Sequence, residues 1–527
     1  METIVEKPSK KQYIALLCIF FITGIMSLIE LPVPPGRDQG IFLYHGWALF
    51  EGLTPYADMW DHKPPFIYLI YGMAVKIFGH RYVSINIMDI FWRLGTLIVV
   101  YKLATRVYGK REGLVAAAVY GIWSAAVGSA YWWTAQAEGF MALPLALAVY
   151  YYLKDRMDAH ILCGIMIALA GMLKTTAILM FVMILIAILV VPRKTWEPYP
   201  KRAKFLSFLF GNLVVLIPVT LYFALSFAID DVWNTVFTFN LYHSGVNVPF
   251  EKFWNKFRYL FTFFPPFWIV VWVKSLYSEE ERRRHTGLVT AWLLVSFLMV
   301  LIQRKYFLYH YFVAIVPAAL LAARGMGIIA DYAKGRAGKA LRVAVVAAAA
   351  IWICFSAYGW IGFVYVSNVV HYRSIEFMTG KIDKGTYFGR FGDPRGDTNL
   401  IEDRAVAAYV RDRTKPDETF LVWGFEPLVN FWAVRKAPNR FNSDYPLTFE
   451  PDSEVTKKLR EKWRKDFIEE MESNPPVYIA VVHNDVNALE KTDSAAQLEK
   501  FPEFKDFMGR KYEIETTIKD FDIYRRK

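Results

Sequence analysis

The chain has 527 residues, 55% of them hydrophobic and 17% aromatic, with a mean hydropathy of +0.25; this argues against a string of soluble domains and for a polytopic α-helical membrane protein. Lysine and arginine exceed aspartate and glutamate by 61 to 49, a formal charge of +12. In a soluble chain that excess would suggest nucleic acid, but here the cations have first to be tested as topology signals.

A membrane-crossing helix needs about 20 mostly apolar residues. Such spans are predicted at 13–31, 84–107, 113–130, 139–153, 161–173, 176–192, 205–229, 255–276, 287–303, 308–323 and 341–366, eleven in all, with the two short ones divided at Lys174. The first follows Lys7, Lys10 and Lys11 without a small-residue cleavage site, so it reads as an uncleaved anchor. Cys18, Cys163 and Cys354 each sit inside an apolar run, which leaves no disulfide framework or thiolate metal site in view.

Between the first two spans lies GRDQGIFLYHGWALFEGLTPYADMWDHKPP, residues 36–65, rich in titratable groups. Asp38 to Glu51 reads as a helix, preceded by Pro34 and Pro35 and stopped by Gly52. Residues 65–79 are apolar but short and follow Pro64 and Pro65, which predicts an interfacial or re-entrant helix rather than a crossing.

Short cytoplasmic loops should carry the Lys and Arg. With the N-terminus inside, the internal connections take Lys102, Arg106, Lys110 and Arg111, then Lys154 and Arg156, then Arg193 to Lys204, then Lys274 to Arg284, then Arg324 to Arg342. Much of the positive charge is therefore topology, and no nucleic-acid partner is called for. An odd number of crossings puts the tail outside, with residues 32–83, 131–138, 230–254 and 304–306 on the same face. The expected organisation is a membrane domain over 1–366 and an extracytoplasmic domain over 367–527, in a cytoplasmic membrane. Within that tail, 419–425 and 476–482 read as buried strands and 401–413 and 453–472 as helices, a small α/β or α+β unit.

Phosphate loop, dinucleotide fingerprint and HExxH patterns do not occur. Asp38 is a candidate general base at the membrane edge, and equally a candidate helix N-cap, two roles that can coexist. Lys63, held extended before two prolines, is a candidate clamp for a lipid phosphate; Arg37, Arg304 and Lys305 face the same choice between phosphate and headgroup. Glu138 can order an acceptor, assist Asp38, or simply complement a helix N-terminus. His310, Tyr311, His62, Asp61, Gln136 and Lys174 are the remaining candidates for substrate contact. Asp61, His62 and His45 are chemically able to bind metal, though no spacing rule singles them out.

An acidic residue after the first span, then G-x-TPY-x-D-x-W-x-x-KPP, TAQAEGF, GMLKTTAIL and RKYFLYHYFVAIVPAAL, together resemble the GT-C superfamily of membrane glycosyltransferases, in the branch of protein O-mannosyltransferases and lipid A aminoarabinose transferases. The likeness runs from residue 13 to 325, and KPP is its most specific part. It implies a sugar donor linked to a polyprenyl phosphate, transfer with inversion, and an active site formed by the first external loop against the outer ends of the helices. Asp38 stands where the family has its catalytic acid and Lys63 where a lysine contacts donor phosphate. Gln39 stands where many relatives have Glu, which leaves a task needing two adjacent carboxylates without its second group.

The implied activity is hexosyl or pentosyl transfer to a hydroxyl of a glycolipid, polysaccharide or protein of the cell envelope, at the outer face of the membrane. No cofactor is implied; a divalent metal is compatible with the reading but not required. A transporter or flippase for lipid-linked sugars is the alternative from another class. It would place ionisable residues near the bilayer midplane and show paired repeats. An oligosaccharide polymerase or ligase, using diphosphate-linked donors, is the third.

Overall fold

A computed structural model describes residues 9–128, 135–191, 199–243, 248–334, 343, 347, 373–391, 400–486 and 492–527. The chain divides into two compact units. One comprises Met1–Leu31, Asn86–Pro218 and Val248–Val370; the other comprises Pro32–Ile85, Val219–Asn247 and His371–Lys527.

The first unit is helical. Among the described residues, five helices are long and apolar enough to cross a membrane: Lys10–Glu30, Val83–Tyr108, Lys201–Leu225, Glu280–Gln303 and Leu308–Lys334. The protein is a multi-pass membrane protein. The Lys110–Gly128 helix packs against both Lys10–Ser27 and Ile315–Lys334. Small side chains permit the approach, with Ala116 and Ala117 buried on one helix and Ala318, Ala319, Ala322 and Ala323 on the other. In a lipid solvent, where apolar surface gains little by leaving lipid, such close backbone packing carries much of the association.

The span expected at 255–276 is instead two helices, Phe250–Phe261 and Pro265–Leu276. Pro265 and Pro266 explain the break: neither has an N–H for the preceding turn, and each ring clashes with the carbonyl four residues back. The span expected at 341–366 lies outside the described residues, apart from 343 and 347.

In the second unit a four-stranded sheet has the order β1-β2-β4-β3, with β1 Phe420–Trp423, β2 Tyr478–Val482, β3 Tyr512–Ile518 and β4 Phe521–Arg526. β1 and β2 run parallel with Phe420 opposite Tyr478; β4 is antiparallel to both β2 and β3, and β3 is bulged between Ile514 and Thr516. Leu421, Trp423, Ile479 and Val481 face a core with Trp463 and Phe467 of the Glu454–Ser473 helix. Phe420, Val422, Tyr478 and Ala480 face another, with Val406, Ala407 and Val410 of the Leu400–Arg411 helix. Two strands covered on both faces must read as unbroken apolar runs, which is how TFLVWGF and PVYIAVV read.

This unit is not built from the tail alone. Trp60 and Phe239, from the other two stretches of chain, lie in the same core as Trp463, with rings 5.3 and 5.4 Å from Trp60.

Candidate active site

The candidate residues divide between the two units. In the second, the Arg37–Phe50 and Phe66–Phe78 helices pack together. They cross at a pair of glycines: a Cβ on Gly46 would lie 2.5 Å from the Gly72 nitrogen, and one on Gly72 would lie 2.5 Å from the Gly46 oxygen. Gly52, at φ +87, turns the chain out of the first helix.

Gly36 occupies the N-cap of the Arg37–Phe50 helix, so the capping role expected of Asp38 falls to it, and Asp38 lies in the first turn. The Lys63 ammonium is 3.8 Å from Asp38 Oδ1, and the two side chains are 13% and 30% exposed. That distance is electrostatic contact, too long for a hydrogen bond. The ammonium also stands 4.8 Å from the centroid of the Phe42 ring, a favourable cation–π position.

Lys63 is held through its backbone. Its carbonyl accepts hydrogen bonds from the hydroxyls of Tyr56, at 2.7 Å, and Tyr68, at 3.0 Å, both side chains wholly buried. Tyr68 also reaches buried Asp61 at 2.9 Å, and Asp61 accepts the His62 amide at 2.7 Å, with the His62 ring 3.3 Å away. The His62 carbonyl in turn accepts from Asn240 at 2.7 Å. Burial, and then the Asp61 charge, push both tyrosine hydroxyls well above their usual range, which keeps them donors at every physiological pH. His45 is buried 3.2 Å from Asn442 Oδ1; desolvation lowers its pKa to about 4 against the opposing pull of Asp61, so it is neutral near pH 7. Arg37 is engaged by Glu426, at 2.8 and 3.2 Å, with both side chains buried.

In the first unit, Glu138 lies in the first turn of the Ala137–Tyr152 helix, with Gln136 buried at its N-cap. Lys174 pairs with Glu138, and His310 Nε2 is 3.7 Å from the same carboxylate oxygen. Tyr311 is buried and donates to the Phe253 carbonyl at 2.8 Å. Arg304 ends the Glu280–Gln303 helix at φ +52 with its side chain exposed. Among the described residues, no three His, Cys, Asp or Glu are grouped to hold a metal ion.

Residues 62–222 match the family described as dolichyl-phosphate-mannose-protein mannosyltransferase. The match takes in Lys63, Glu138 and Lys174 and begins after Asp38. Among solved structures, the ArnT of Cupriavidus metallidurans bound to undecaprenyl phosphate is similar over 98% of each chain, at 13% identity and a TM-score of 0.60. The same protein in the apo state is similar over 97% of each chain, at 14% identity and a TM-score of 0.57. The fold is GT-C. The resemblance noted in the sequence to GT-C glycosyltransferases thus appears again in a family match and in the fold. The oligosaccharyltransferase of Archaeoglobus fulgidus in its apo form has a TM-score of 0.49 at 13% identity, over 89% of this chain and 69% of that one. A comparison with the curated proteins gives no match.

Sequence reasoning did not find Tyr56 or Tyr68 as supports of Lys63, nor Asn442 beside His45. It also passed over Glu30, Asp89 and Arg93, for which a signal existed: ionisable residues inside apolar spans.

Proposed function

We propose that this chain is a glycosyltransferase that moves a hexosyl or pentosyl group from a polyprenyl-phosphate-linked donor to a hydroxyl of a cell-envelope acceptor, with inversion. The reaction runs at the outer face of the cytoplasmic membrane, with residues 1–366 as the catalytic membrane domain and the N-terminus inside. The extracytoplasmic domain over 367–527 contributes to shaping the first external loop.

The observation that carries this reading is the juxtaposition of Asp38 and Lys63 at 3.8 Å, with the Lys63 carbonyl held by the hydroxyl of buried Tyr56. Asp38 takes the proton of the acceptor hydroxyl as its oxygen attacks the anomeric carbon. The bond from that carbon to the phosphate oxygen breaks, and its electron pair leaves on the phosphate. Lys63 binds that anion and stabilises the charge it gains. Single displacement needs one base and no covalent intermediate, which suits a site where Gln39, not a second acid, follows Asp38. Glu138, held by Lys174 and His310, orders the acceptor. The undecaprenyl phosphate bound to the structurally similar ArnT supports the donor class.

The test uses purified protein and a panel of radiolabelled undecaprenyl-phosphate sugars, with mass spectrometry of cell-envelope glycans to find the acceptor. Asp38→Asn should abolish transfer and retain donor binding. Full turnover by that variant overturns the proposal.

A further inference from the structure

Within the first unit, the Val83–Tyr108 helix buries a group of charges. Arg93 donates to Glu30 in a bidentate pair, at 2.7 and 3.0 Å, to Ser27 at 2.8 Å and to Asp89 at 2.7 Å. All three ionisable side chains are nearly inaccessible. Glu30 and Asp89 share the single Arg93 guanidinium, so each buried carboxyl gains from a further hydrogen-bond donor.

The Asp89 carboxyl stands at the start of the Ala137–Tyr152 helix, its Oδ1 3.9 Å from where a Cβ on Gly139 would lie, and the Ala135 backbone amide is a donor to it. Ala135 has φ +56, a backbone conformation that residues with a Cβ rarely adopt. It stands directly before the N-cap Gln136 of the helix that carries Glu138. One turn along the Val83–Tyr108 helix, Trp92 Nε1 donates to the Phe140 carbonyl at 2.9 Å, a second tie between the same two helices. Packing contributes less here. A cavity of about 20 Å³, the size of one water, is lined by Asp89, Arg93, Tyr120, Ser124, Gly139 and Phe312.

We propose that Asp89 is a positioning residue for Glu138: its carboxylate, anchored by Arg93, holds the left-handed turn at Ala135 and so fixes where the Ala137–Tyr152 helix begins. This rests on the reading above that Glu138 takes part in transfer.

The test is a double-mutant cycle in the full-length protein, using the undecaprenyl-phosphate sugar that the wild type turns over. Asp89→Ala should lower kcat about tenfold, the scale of one lost charge-assisted hydrogen bond, with donor KM unchanged. Asp89→Asn keeps an acceptor oxygen for Ala135 and should recover most of the rate. Both variants retain the Glu30–Arg93 pair, which favours folding. Asp89→Ala combined with Glu138→Gln should be no slower than Glu138→Gln alone; multiplying losses overturn the proposal. Hydrogen exchange over residues 135–141 separates the two ideas. Unchanged exchange in Asp89→Ala sinks the link between Asp89 and the turn. A wild-type rate in Glu138→Gln sinks the role of Glu138, and the catalytic consequence of Asp89 with it.

Discussion

Tyr68 carries one hydroxyl proton and faces two acceptors, Asp61 Oδ2 at 2.9 Å and the Lys63 carbonyl at 3.0 Å. The carboxylate is the stronger acceptor, so the hydroxyl of Tyr56, 2.7 Å from that carbonyl, is the main tie on the Lys63 backbone. The two tyrosines therefore have separable tasks. Tyr68→Phe leaves a buried carboxylate short of a donor and should cost about 1–3 kcal/mol of stability. Tyr56→Phe should cost less stability and act on donor KM by loosening the segment that aims Lys63. Thermal unfolding in detergent and steady-state transfer kinetics, measured on both variants, check the division.

Lys63→Ala should raise donor KM by about 10–100-fold, the scale of a lost charge-assisted contact. Lys63→Arg should restore part of the binding, since the charge survives but the longer planar head cannot occupy the same place over Phe42. Binding of labelled undecaprenyl phosphate alone reads this directly, without need of an acceptor.

His45 sets a pH window. Its imidazole has a pKa of about 4 in the folded protein and 6.5 unperturbed. Between those values the unfolded chain takes up a proton that the folded chain refuses, so stability is present above pH 6.5 and drains away as pH falls toward 4. The full loss is about 3 kcal/mol. Unfolding measured from pH 7 to 4 should show this slope in the wild type and a flatter one in His45→Gln.

Asp403 works with the opposite sign. It is wholly buried, neither oxygen has a hydrogen-bond partner among the described residues, and desolvation and then Glu426 push its carboxyl well above the usual range, with Arg37 opposing. The folded state keeps a proton that the unfolded chain has released, so stability declines as pH rises past 3.8 toward the folded value. Asp403→Leu should remove that decline and raise stability at pH 7 by about 1 kcal/mol or more. The change is read as an increase in Tm that shrinks as the assay is made more acidic.

Gly46→Ala forces a methyl against the Gly72 nitrogen and 2.8 Å from Tyr71 Cβ, and should cost about 1–3 kcal/mol. Gly52→Ala meets no atom within 4 Å and pays only for its positive φ, about 1 kcal/mol. The order of the two Tm values tests whether the glycine crossing holds the helix that bears Asp38.

The sequence made some of this legible and not the rest, for physical reasons. Long apolar runs announced the helices, and two short ones announced β1 and β2, because both signals are local in the chain. The KPP segment marked Lys63 because proline acts on its immediate neighbours. Arg37 read as a phosphate ligand, whereas its guanidinium lies against Glu426, 389 residues away, a partner with no local signature. The grip on the Lys63 carbonyl was equally hidden, since a backbone acceptor looks the same at every position. Glu30, Asp89 and Arg93 differ: charges at 30, 89 and 93 inside apolar spans are visible to anyone who asks what each is paired with.

The second unit is assembled from three stretches of chain, and this has a consequence for synthesis. The Ala437 amide that meets the Tyr44 hydroxyl leaves the ribosome 393 residues later, a delay of about 20–80 s at ordinary elongation rates. Through that interval the Arg37–Phe50 helix lacks this partner, so a chain truncated before Ala437 would leave the Tyr44 hydroxyl without it.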